Sequence, residues 1–99
     1  MSQFTRFAII LDQIEGAVVS QEDIKGHIAY LRRLEKEGIL VMAGPFTNYK
    51  GGMVVINVPT LEDAQKIAAT DPFVANKVRR CEIRQWELSC EENNHLGRG

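Results

Sequence analysis

Residues 20–45 read SQEDIKGHIAYLRRLEKEGILVMAGP, and this stretch decides the fold. Ser20 is a good helix N-cap, and Asp23 three residues on supplies an acidic variant of the capping box. Ile24, Ile28, Leu31 and Leu34 recur at helical spacing, whereas Lys25, Arg32, Arg33 and Lys36 fall off that stripe. Gly38 suits the position just past a helix C-terminus. Residues 39–43 then form an unbroken apolar run that Gly44-Pro45 is expected to stop. The stretch predicts one amphipathic helix running straight into a buried strand.

Upstream, residues 4–11 alternate with a period of two. Phe7, Ile9 and Leu11 share one face, and Arg6 points to the other beside Phe4, Ala8 and Ile10. Residues 12–19, with Gly16, form a connection. Downstream, residues 53–58 make a second apolar run broken only by Asn57, and Asn48 and Gly51-Gly52 before it predict a hairpin with a longer loop. Thr60, with Asp63 three positions on, caps a second helix. Leu61, Ala64, Ile67 and Ala68 are its core face, and Pro72 ends it by disfavouring helical geometry at the preceding residue. Residues 78–88 read as the last strand.

The order βαββαβ in so short a chain is the ferredoxin-like, α+β arrangement: a four-stranded antiparallel sheet with both helices on one face. Residues 1–90 form the single domain, and residues 91–99 are a polar tail expected to be mobile. A sheet with one solvated face should alternate along every strand, yet the runs at 39–43 and 53–56 are continuous. Two helices cover one face only, so the other is expected to pack on a second copy, giving a homodimer.

The formal net charge is -1 and the pI about 6.1, which argues against a nucleic-acid backbone binder. No run approaches the roughly 20 apolar residues of a membrane span, and no secretory leader is expected, because residues 2–6 are polar apart from Phe4. Cys81 and Cys90 complete no metal spacing and fit two free thiols in a reducing compartment, so a cytoplasmic location is expected.

His27 lies three residues after Ile24 and four before Leu31, on or beside the apolar stripe. Alone it reads as a core histidine with a backbone partner; its chemical alternative is a general acid/base. Asp71-Pro72-Phe73 is the pattern of an N-cap followed by proline at the first helical position, so Asp71 alone reads as a cap. The two roles are compatible, because backbone N–H groups favour the ionised form of the carboxylate they hold, and such a group can orient a histidine. Gly44-Pro45-Phe46 reads as a strand terminus, though a glycine there permits close approach of a ligand. Phe46 and Phe73 are candidate pocket walls. His95 reads as solvated, and Trp86 as packing or a dimer contact. Two candidate ligands do not make a metal site, and no glycine-rich phosphate loop is present, so neither a metal nor a cofactor is expected.

Taken together, His27, Tyr30-Leu31, Leu34, Gly38, Ala43-Gly44-Pro45, Gly51-Gly52 and Asp71-Pro72-Phe73 form an ordered set that resembles the YCII-related family, from the first strand to Trp86. The resemblance implies a ferredoxin-like fold that dimerises into an α+β barrel, and a catalytic histidine–aspartate pair at His27 and Asp71. One branch of that family is a dehydrochlorinase that turns chlorohydroxyhydroquinone into hydroxybenzoquinone, and the fold resembles that of muconolactone isomerase.

The expectation is therefore a cofactor-free lyase on a small chlorinated aromatic, with His27 as general acid/base and Asp71 orienting it. Gly44, Pro45, Phe46 and Phe73 would contact the substrate, with Arg6 or another inward basic group holding a phenolate. A muconolactone-type proton-transfer isomerase and a non-catalytic ligand-binding dimer are the alternatives.

Overall fold

The structure, a computed structural model, describes residues 2–97. Along the chain run β1 (Thr5–Gln13), α1 (Gln21–Lys36), β2 (Leu40–Pro45), β3 (Gly51–Ile56), α2 (Leu61–Ala69), the single-turn α3 (Pro72–Ala75) and β4 (Arg79–Glu87). The four strands form one sheet in the order β2-β3-β1-β4, and every neighbouring pair is antiparallel. This is the ferredoxin-like α+β arrangement.

Strand parity puts Phe7, Ile9 and Leu11 under the helices, opposite Ile56, Val54 and Gly52 of β3. Tyr30 and Leu34 from α1 and Ala64 and Ala68 from α2 close over them into one buried core. Alanine at both α2 positions lets that helix lie close to the sheet. The Tyr30 hydroxyl donates to the Ile67 carbonyl oxygen at 3.0 Å and ties α1 to α2. Burial, helped by the negative charge of Asp71, pushes that phenol well above its ordinary pKa.

Both long helices start where the sequence signals place them. Ser20 Oγ accepts from the Asp23 N–H at 3.0 Å while the Asp23 carboxylate accepts from the Ser20 N–H at 3.0 Å, a complete capping box. Thr60 Oγ1 accepts from the Asp63 N–H at 3.1 Å. Gly38 takes a positive φ of 75° just past the C-cap Glu37.

Two strands run further than expected. β1 continues to Gln13, because Asp12 is held from both sides: it accepts from the Tyr49 hydroxyl at 2.6 Å and from Arg80 at 3.1 Å. Those two donors, Tyr49 first, keep its carboxyl below the usual range. β2 continues through Gly44 and Pro45 instead of stopping at them. It is an edge strand, where proline is tolerated. Opposite its end, Gly51 adopts φ 144°, and a Cβ there would strike the Leu11 carbonyl oxygen, so only glycine serves.

The sheet face away from the helices carries Ala8, Ile10, Met53, Val55 and Met42, with Glu82, Arg84 and Trp86 along β4. Val55 and Ala8 are buried at its centre, while Met42 and Trp86 are exposed toward its edges. Both cysteines are free. After β4, Glu91–Asn93 form one 3-10 turn, fastened by the Asn93 side chain to the Cys90 N–H and the Leu88 carbonyl. The last two residues of the sequence-defined tail, 98 and 99, lie outside the described residues.

Candidate active site

Asp23, Gly26 and His27 stand at i, i+3 and i+4, so they share one face of α1. That face meets α3. The Asn76 amide donates to Asp23 Oδ1 at 2.8 Å, Pro72 packs on Gly26, and His27 pairs with Asp71. The Ser20 N–H, then the Asn76 amide, hold the Asp23 carboxyl below its ordinary pKa.

A glycine inside a helix costs about 1 kcal/mol relative to alanine, and the contact with Pro72 explains its presence. A Cβ on Gly26 would lie 3.0 Å from Pro72 Cγ and 3.2 Å from its Cβ. The proline ring cannot swing aside, so α3 would have to move. Gly26→Ala is expected to change stability by less than about 1 kcal/mol, because helix propensity offsets the crowding. It should nonetheless disturb the His27–Asp71 contact, read as a shift of the His27 ring proton resonances.

Asp71 caps α3. Its Oδ1 accepts the Phe73 N–H at 2.9 Å, and the same oxygen lies 2.9 Å from His27 Nδ1. A carboxylate only accepts, so Nδ1 is the donor, and Nε2 is left as the free ring nitrogen. The Asp71 residue is 1% exposed and the His27 side chain 16%, so the pair is shielded without being sealed. Phe73 stacks on the imidazole, with ring centroids 4.1 Å apart and planes 10° from parallel. Burial, then the charge of Asp71, pushes the nearby Cys81 thiol up.

His27 and Phe73 wall a cleft of about 480 Å³ between α1 and the ends of β2 and β3, a size that suits a small ring. Gly44, Pro45, Gly51 and Gly52 contribute at the strand ends, and the absence of side chains on the three glycines leaves the space open. Ile24, Ile28 and Leu31 line the cleft from α1. Ile24 and Ile28 are 39% and 43% exposed, although the stripe predicts them inward, because they face this hollow and no packed strand lies against them. Among the described residues, no three His, Cys, Asp or Glu side chains gather as a metal site, and no helix is long and apolar enough to cross a membrane.

Of the sequence candidates, His27, Asp71, Gly44, Pro45 and Phe73 come together here. Phe46 does not line the cleft; it packs near Tyr49, 6.4 Å between centroids, in the β2–β3 loop. Arg6 stands opposite Trp86 on the other face of the sheet, and its guanidinium donates to the Gln3 and Thr5 carbonyls at 2.9 Å each. The basic residue at the cleft is Arg79, which the sequence reading did not single out. Its parity with Cys81 and Ile83, both under the helices, was the available signal.

Comparison with known proteins agrees with this architecture. The uncharacterized protein YjpA of Bacillus subtilis (strain 168) is 41% identical over 69 residues, covering 70% of this chain and 81% of that protein. A solved structure of 5-chloro-2-hydroxyhydroquinone dehydrochlorinase (TftG) from Burkholderia phenoliruptrix AC1100, in complex with 2,5-dihydroxybenzoquinone, superposes with a TM-score of 0.71 at 17% identity. It covers 84% of this chain and 94% of TftG, a likeness of fold. The model of the YCII-related domain matches residues 5–87, so the chain belongs to the YCII-related family.

Proposed function

We propose that this protein is a cofactor-free lyase that removes hydrogen chloride from a chlorinated hydroxyhydroquinone, with His27 moving the protons and Asp71 orienting it. The observation that carries the reading is the 2.9 Å His27–Asp71 contact at the wall of an apolar cleft. The fold likeness to TftG, solved with a quinone bound, supports the substrate class.

The reaction needs only proton movements and a leaving group. A ring hydroxyl gives its proton to His27 Nε2 as its oxygen becomes a carbonyl, and the chlorine-bearing carbon takes a proton. The C–Cl bonding pair then leaves as chloride, while a second hydroxyl loses its proton and becomes the other quinone carbonyl. The sum is loss of HCl with no outside oxidant. In this reading Asp71 fixes the imidazole through Nδ1, so that Nε2 serves the substrate, and favours the positive charge gained in the first step. The test is chloride release from chlorohydroxyhydroquinone, measured alongside quinone absorbance. Both should rise together; absorbance change without chloride would indicate isomerisation, and saturable binding without product would indicate a binding protein.

The free sheet face supports a homodimer. Ile10, Met42, Met53 and Trp86 give it an apolar surface of the kind that marks an association site. Light scattering at micromolar concentration should give twice the chain mass, and Met42→Glu should shift the protein toward monomer while leaving its helix content unchanged. A wild-type monomer would overturn this reading.

A further inference from the structure

Arg79 opens β4, opposite Gln13 of β1, and lies where two hollows meet. On one side is the apolar cleft of His27 and Phe73. On the other is a polar hollow of about 350 Å³ lined by Gln13, Glu15, Gly16 and Lys50. Among the described residues, the Arg79 guanidinium hydrogen-bonds only to its neighbour's carbonyl, Val78 O, at 2.8 Å. The other arginines of β4 are placed differently: Arg80 pairs with Asp12 at 3.1 Å and Arg84 with Glu82 at 2.9 Å, both on the far sheet face.

A half-buried guanidinium with no acidic partner, at the end of an apolar cleft, retains most of its five donors for a ligand. Two positive groups, Arg79 and Lys50, and one negative, Glu15, border the polar hollow, so its balance favours an anion. The cleft itself takes the flat apolar part of a ring against Phe73 and His27. We propose that Arg79 is a specificity-determining residue that selects ring substrates carrying an acidic substituent, a carboxylate or a fixed phenolate, pointed away from His27. This rests on the reading of the His27 cleft as the ring-binding site.

The test uses two unreactive probes, 2,5-dihydroxybenzoate and hydroquinone, titrated by calorimetry at pH 7.5 and low salt, with the His27 ring resonances followed by NMR. The acid should bind about ten-fold or more tighter than the neutral diol, the effect of one charge-assisted hydrogen bond. Arg79→Gln should bring the two to parity, Arg79→Lys should keep part of the preference, and added salt should weaken the acid alone. Equal affinity for both probes, with both moving the His27 resonances, overturns the role of Arg79 and leaves the proton-transfer reading intact. Binding by neither overturns both. An Arg79-dependent preference in a protein whose chloride release is unaffected by loss of His27 keeps the selectivity and removes His27 from the chemistry.

Discussion

Replacing His27 with glutamine is expected to slow chloride release by about 10²- to 10⁴-fold, the range for losing a positioned general acid/base. Glutamine is the informative substitution because its amide can still donate to Asp71 Oδ1, which lies 2.9 Å from Nδ1 in the native pair. It carries no group that takes and returns a proton near neutral pH. KM should change little, since the cleft is walled chiefly by apolar residues and glycines and keeps its shape. His27→Ala should be as slow and also less stable: it leaves Asp71, 1% exposed, without its side-chain partner and removes the stack on Phe73. Removing one hydrogen-bond partner from a buried polar group costs about 1–3 kcal/mol, and more where that group is charged. Chemical denaturation run beside the turnover assay separates the two variants. Full turnover by His27→Gln would remove His27 from the chemistry.

How far the sequence carries can be judged at particular residues. The N-caps of the two long helices, the strand parity of Phe7, Ile9 and Leu11, and the Asp71-Pro72 cap are local patterns, and local physics decides them. The meeting of His27 with Asp71, 44 positions apart, is not local. It became legible through the family resemblance, and the one local trace of it was Gly26, a glycine inside a helix that needed a reason. Arg6 illustrates the opposite failure. Its parity places it on the face away from Phe7, where a phenolate held in the cleft does not meet it. Arg79 has the right parity, but a charged residue at a strand end reads as solvated until a cavity is known beside it. Phe46 follows two residues that line the cleft, yet β2 runs on through Pro45 and delivers Phe46 to the loop beyond. Strand ends depend on pairing with β3, which period alone does not report.

Asp71 supports the second large prediction, because one oxygen serves two purposes. Oδ1 accepts both the Phe73 N–H and His27 Nδ1, each at 2.9 Å. In Asp71→Asn the amide oxygen can take both bonds, and turning the amide over would forfeit the helix cap as well as the histidine contact. The cap therefore holds the amide in the orientation that keeps Nδ1 a donor and Nε2 free. What asparagine lacks is the negative charge facing an imidazole that must become positive. Turnover is expected to fall about 10²-fold, the low end for impaired acid/base catalysis, with stability nearly unchanged. Asp71→Ala removes the cap too, and should lose a further 0.5–2 kcal/mol or so of stability. It should also lose at least as much turnover as Asn, because the imidazole then has neither a negative charge facing it nor a side chain aiming it. Equal stability in the two variants would show that the cap matters little, and unimpaired turnover in Asn would show that orientation alone suffices. A fall in turnover with a preserved melting temperature separates the charge of Asp71 from its role in the fold.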